Sequence, residues 1–160
     1  MEPDLSKYVL AGDNSMYADE TGLVVPVVTR GGHEVGATGQ SAGATRISGV
    51  SVQHTPATKL WFGKVRNESG YRSVPHHHGE AETGGYVLSG RARIYFGETF
   101  EDYVDMAEGD WVFVPPFMPH IECNLSRSRP LTWMTARTPE NIVVNLADVP
   151  DADLRDWLTR

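Results

Sequence analysis

One stretch narrows the folds open to this chain more than any other: Gly70 to Gly90, GYRSVPHHHGEAETGGYVLSG. Its centre holds His76 and His78, with Glu82 three residues further on. On a β-strand alternate side chains share a face, so His76 and His78 point the same way, roughly 7 Å apart along the backbone. Two imidazoles so placed suit convergence on one ion. A later stretch, Gly109 to Asn124 (GDWVFVPPFMPHIECN), delivers His120. Three neutral imidazoles and a carboxylate form a mixed N/O set with room for exchangeable positions. Such a set fits iron(II), manganese, nickel, copper or zinc better than calcium or a thiolate-preferring metal.

These residues resemble the two signature motifs of the cupin superfamily. The first motif reads glycine, five residues, His-any-His, three or four residues, glutamate, six residues, glycine; Gly70, His76, His78 and Glu82 fit it. The second reads glycine, five residues, proline, any, glycine, two residues, histidine, three residues, asparagine; Gly109, Pro115, His120 and Asn124 fit it. There are two departures. Seven residues separate Glu82 from Gly90, an excess that a bulge at Gly84-Gly85 could absorb. Phe117 stands where the second glycine is usual. Further features (ETGGYVLSG, YFGE at Tyr95 to Glu98, PPFMPH) look like the small single-domain RmlC-like cupins. The resemblance spans about residues 40 to 147. It implies an all-β fold, the double-stranded β-helix or jelly-roll barrel, with one divalent transition metal held by His76, His78, Glu82 and His120. Iron is the metal expected first. Homodimers are common among cupins, which makes a second copy of the chain the expected partner.

The rest of the chain is read around that barrel. Its 160 residues suit one domain. A formal charge of -7 with only 14 basic residues argues against nucleic acid as the main partner, since phosphate binding needs clustered Lys and Arg. Cys123 is the single cysteine, so neither an internal disulfide nor a multi-thiolate metal site can form. No apolar run approaches a membrane span and the first residues lack a signal-peptide pattern, so a cytoplasmic location is expected.

Residues 1–22 read as an arm, 23–147 as the barrel, and 148–160 as a helix packed on the barrel or on a partner subunit. Leu23 to Thr29 fits an edge strand broken by Pro26. The Gly-rich Gly31 to Gly49 reads as a flexible segment crossing the barrel mouth rather than a phosphate loop. Strands are expected near 47–54, 58–66, 73–78, 84–89, 91–97, 102–106, 111–114, 119–124, 130–137 and 142–145. At the end, Leu154, Trp157 and Leu158 have the spacing of a short amphipathic helix.

Strand parity sorts the neighbours of the site. His77 points outward, and Glu80 is the fallback carboxylate should the register shift. His120, Glu122 and Asn124 share one face, Ile121 and Cys123 the other, which makes Cys123 structural. Glu122 is then either an acid that orients a histidine or takes a proton from substrate, or a wet rim residue. Arg72 has the parity of His76 and could grip a substrate carboxylate or enolate, though strand-end arginines are more often solvated. Arg91 and Arg93 read as a solvated face. His33 and His54 lie outside both motifs.

A fold hosts many chemistries, so three functions stay open. The leading one is a non-haem dioxygenase-like enzyme on a small organic substrate, with Glu122 and Arg72 as candidate catalytic residues. The second is a redox-neutral isomerase, lyase or cyclase using the ion as Lewis acid. The third is a non-catalytic small-molecule-binding barrel.

Overall fold

The computed structural model describes residues 26–38, 41–139 and 142–157. Among the described residues eleven strands run in order: β1 (Val35–Thr38), β2 (Ala44–Val50), β3 (Trp61–Asn67), β4 (His76–His77), β5 (Glu82–Ser89), β6 (Arg91–Phe96), β7 (Asp102–Ala107), β8 (Trp111–Val114), β9 (Ile121–Asn124), β10 (Leu131–Thr138) and β11 (Val144–Asn145). A six-stranded sheet has the order β1-β2-β3-β10-β5-β8, a three-stranded sheet the order β7-β6-β9, and β11 pairs with β4. All pairings are antiparallel. This is the jelly-roll architecture, with the sheets facing one another across the interior.

Period-two patterning decides which side chains enter. On β10, Leu131, Trp133, Thr135 and Arg137 are buried, while Thr132, Met134 and Ala136 are half-buried. On β3, Trp61, Gly63, Val65 and Asn67 are buried; Phe62 and Arg66 are exposed and Lys64 half-buried. Trp61, Val65, Val87, Ala92, Ile94, Met106, Val114, Leu131 and Trp133 form the core between the sheets. Burying one such side chain contributes on the order of 1.5–3 kcal/mol.

A second cluster, Tyr95, Phe100, Ile121, Cys123 and Leu154, lies on the outer face of the small sheet. The C-terminal segment covers it. Here the helical turn is a 3-10 turn confined to Asp151–Asp153, and Leu154 is extended. Leu158 falls outside the described residues. The Tyr95 hydroxyl donates to the Arg155 carbonyl at 2.7 Å, and Arg93 donates to the Asp156 carbonyl at 2.9 Å.

Two readings change. The Gly-rich segment is not a plain crossing loop: β1 and β2 pair across it, and β2 pairs with β3. Arg93 is buried rather than solvated, because its guanidinium pairs with Asp105, at 2.8 Å on one nitrogen, and lies 3.6 Å above the Tyr103 ring. The expected edge strand fares differently at its two ends: residues 23–25 are outside the described set, and 26–29 form no strand.

Cys123 is fully buried in the outer cluster, on the opposite face from Glu122. Burial pushes its thiol pKa upward, so little reactive thiolate forms. Ellman's reagent should leave the native protein unlabelled and titrate one thiol per chain in denaturant. Rapid labelling of the folded protein would contradict this packing.

Candidate metal centre

His76 lies on β4, and its backbone exchanges two hydrogen bonds with His120, at 3.0 and 2.9 Å. That bridge brings residues far apart in sequence into direct opposition. His78 follows β4, and Glu122 enters from β9, where it pairs with Ile94 of β6. His76, His78, His120 and Glu122 each offer a ligand atom, and the four atoms lie within 4.8 Å of one another. The three imidazole centroids form a triangle with sides of 5.0, 4.4 and 5.0 Å.

Each ring is oriented through its Nδ1. His76 Nδ1 lies 2.9 Å from the Val74 carbonyl, His78 Nδ1 2.8 Å from the Ile142 carbonyl, and His120 Nδ1 2.9 Å from the Met118 carbonyl. A carbonyl only accepts, so each Nδ1 carries the proton and each Nε2 keeps its lone pair. His120 Nε2 is buried without a hydrogen-bond partner, 3.6 Å from Glu122 Oε1. A solvent-shielded acceptor facing a carboxylate and two further imidazoles is what a cation would satisfy. The cluster suits a single metal ion.

Electrostatics point the same way. Burial lowers the His76 imidazole from its ordinary 6.5 to about 4. Burial lowers His78 to about 2, with the Arg137 guanidinium adding to the effect. Both are neutral near pH 7, the form that ligates. Unfolded imidazoles take up protons near 6.5 and these two only at lower pH, so falling pH through that window destabilises the metal-free fold. Burial alone would raise the Glu122 carboxyl, but His120, His76 and Arg137 outweigh it and hold it well below the usual carboxylate range. Glu122 is therefore an anion, with its side chain 15% exposed.

Glu82 does not join the cluster. It is exposed on the outward side of β5, while Thr83 is buried and faces in. Four residues separate His78 from Thr83 and six separate Thr83 from Gly90, so Thr83 holds the motif's carboxylate position. No bulge forms at Gly84-Gly85; the irregularity between β5 and β10 falls at Thr132/Trp133. Glu80 is exposed as well. The carboxylate comes from the second motif instead.

Arg72 also leaves the site. It bridges to Cys123 and so takes the outer face. Its guanidinium meets Asp148 and Asp151, both at 3.0 Å, and donates to the Val149 carbonyl. The strand is interrupted at Val74-Pro75, so alternation counted back from His76 fails there. The arginine at the cluster is Arg137, 2% exposed, whose Nη2 lies 3.1 Å from His78 Nε2 and whose Nε donates to Thr83 Oγ1 at 3.1 Å. Burial lowers its pKa to about 9, which leaves it a cation near pH 7. Arg137 shares parity with Leu131 and Trp133, a signal present in the sequence.

A cavity of about 20 Å³ adjoins the cluster, lined by Arg46, Thr83, Glu122, Thr135 and Arg137 on its polar side and by Trp133, Gly85 and aliphatic residues elsewhere. Beyond Ile94, Val112 and Val114, which wall both, lies an apolar space of about 160 Å³ lined by Phe96, Val104, Phe113 and Met118. Phe117 adopts a φ of 58°, the left-handed conformation that favours glycine, which accounts for the usual glycine at this motif position.

A jelly-roll barrel with converging histidines in its interior defines the cupin class. Residues 64–137 match the cupin domain family model, and the fold is the cupin double-stranded β-helix. Among solved structures, the fold resembles an RmlC-like cupin from Shewanella frigidimarina, with a TM-score of 0.55, 17% identity, and coverage of 72% of this chain and 92% of that one. The polyketide cyclase RemF from Streptomyces resistomycificus gives a TM-score of 0.59 at 16% identity, covering 72% and 82%. Oxalate decarboxylase from Bacillus subtilis gives 0.55 at 21% identity, covering 69% of this chain but only 31% of the decarboxylase. At these identities the likeness is one of fold. No curated protein matches the chain by sequence. Among the described residues, no helix is long and apolar enough to cross a membrane.

Proposed function

We propose that this cupin is a mononuclear metal enzyme of the non-haem dioxygenase-like kind, acting on a small organic molecule, with iron as the expected metal. The observation that carries the reading is the convergence of three Nε2 atoms, each with its Nδ1 committed to a carbonyl, on a site shared with Glu122. His76, His78, His120 and Glu122 would hold the ion, which supplies Lewis-acid character and, as iron, redox chemistry. The chain's own residues do the rest. Glu122, kept ionised, offsets the positive charge of the ion and of Arg137. Arg137 and Arg46 favour negative charge on a substrate oxygen in the adjoining cavity. Ile94, Val112, Val114 and Trp133 restrict the water that reaches it.

The guanidiniums favour a second reading, a redox-neutral step in which an enolate-like oxygen develops charge. The fold neighbours named as a cyclase and a decarboxylase fit this class. Elemental analysis of protein purified without chelator separates the readings. About one iron per chain, lost in His120→Ala, together with oxygen uptake on small carbonyl substrates, is the expected result. Zinc or nickel at the same level without oxygen uptake would transfer the assignment to the redox-neutral reading. A wild-type protein that stays metal-free after anaerobic reconstitution would overturn both.

A further inference from the structure

The hydrogen bond from Arg137 to His78 has a consequence for what the site binds. His78 Nδ1 is committed to the Ile142 carbonyl, so Nε2 is the atom that accepts from Arg137 Nη2 at 3.1 Å. One lone pair cannot serve both Arg137 and a metal. Ligation by His78 therefore requires the guanidinium to move, and it leaves a cation close to a second, doubly charged one. An anion at Arg137 resolves both conflicts, because it supplies an acceptor and offsets the repulsion.

The cavity can take such an anion. Arg137 and Arg46 line it, and Glu122 is the only acid among its described lining residues. Thr83 Oγ1 accepts from Arg137 Nε at 3.1 Å, which places the guanidinium at the cavity wall. Its volume of about 20 Å³ compares with roughly 10–15 Å³ for one water. That is room for one or two water-sized groups, the scale of carboxylate oxygens, and too little for an aromatic ring.

Resting on the metal reading above, we infer that Arg137 anchors a substrate carboxylate, and that a carboxylate in this cavity and a metal ion at His78 bind cooperatively. The substrate class is then a small carboxylic acid presenting its carboxylate to Arg137 and Arg46. By reciprocity, ion and carboxylate each tighten the other by the same factor.

The test is titration of metal-free protein with Co2+ by calorimetry and visible absorption, at constant ionic strength, with sodium formate or with formamide as the neutral control. Formate should tighten Co2+ binding by at least about fivefold, and formamide should not. Arg137→Gln should bind Co2+ more tightly than wild type without formate, since the competing donor is gone, and should lose the formate effect. Arg137→Lys, which keeps the buried charge, takes its place if the glutamine variant does not fold, and should show a reduced effect. One Co2+ per chain bound with equal affinity with and without formate overturns this inference alone. A formate effect that survives in both variants also overturns it, because direct coordination of formate would then suffice. Failure of the wild type to bind Co2+ overturns the metal reading and this inference with it.

Discussion

Glu122→Gln should weaken metal binding by at least about tenfold, while Glu82→Gln leaves it within about twofold of wild type. The substitution keeps shape, removes the negative charge and turns one acceptor oxygen into a donor. Glu122 is the one acid among the four clustered ligands, and its anionic form is what His120, His76 and Arg137 stabilise. Glu82 is exposed on the outer side of β5 and has no route to the cluster without a one-residue slip, which would also expel Thr83, Gly85 and Val87 from the interior. Equilibrium dialysis against Mn2+ followed by elemental analysis reads both variants. Loss of metal in Glu82→Gln with retention in Glu122→Gln would reverse the assignment.

Gly63→Ala should destabilise the fold by about 2 kcal/mol or more, whereas Gly84→Ala changes stability by less than about 1 kcal/mol. A Cβ at Gly63 would stand 2.3 Å from the Ile47 carbonyl oxygen and 3.0 Å from the Trp61 ring. The nearest atom belongs to the backbone of the paired strand β2, so it cannot swing aside as a side chain would. A Cβ at Gly84 meets nothing within 4 Å. Urea denaturation of both variants, at unchanged slope, gives the comparison. Equal midpoints for Gly63→Ala and wild type would mean that β2 and β3 can separate at little cost.

Much of the barrel was legible because short strands with alternating burial leave a clear trace: β6, β7, β8 and β10 fall within a residue or so of their expected spans. The three histidines were legible because two are spaced within one strand pattern and the third sits in a second fixed spacing. The carboxylate was misread at one point, the turn between His78 and β5. The motif admits three or four residues before the carboxylate; Glu82 fits the count of three, with an extra residue assigned to Gly84-Gly85, whereas the chain uses four, which places Thr83 there. Alternation counted across the strand break at Val74-Pro75 misplaced Arg72. Arg137 and Arg46 were open to detection, since both alternate with buried neighbours on β10 and β2. Their charge argued for the surface, whereas Arg137 is buried and Arg46 half-buried beside Glu122 and Thr83. Arg93 was misread as solvated because Asp105, its partner, lies on β7, and no local pattern links the two.

The three imidazoles owe their orientation to main-chain carbonyls at Val74, Met118 and Ile142 rather than to carboxylate side chains. Every amino acid supplies a carbonyl, so substitution at those positions leaves the acceptor in place as long as the chain follows the same path. The proton on each ring is thus fixed by the course of the backbone and not by any single codon. Sequence drift around the histidines can reshape the cavity without disturbing the orientation of the three imidazoles. That separation lets a barrel of this kind vary its cavity while keeping a site fit for an ion.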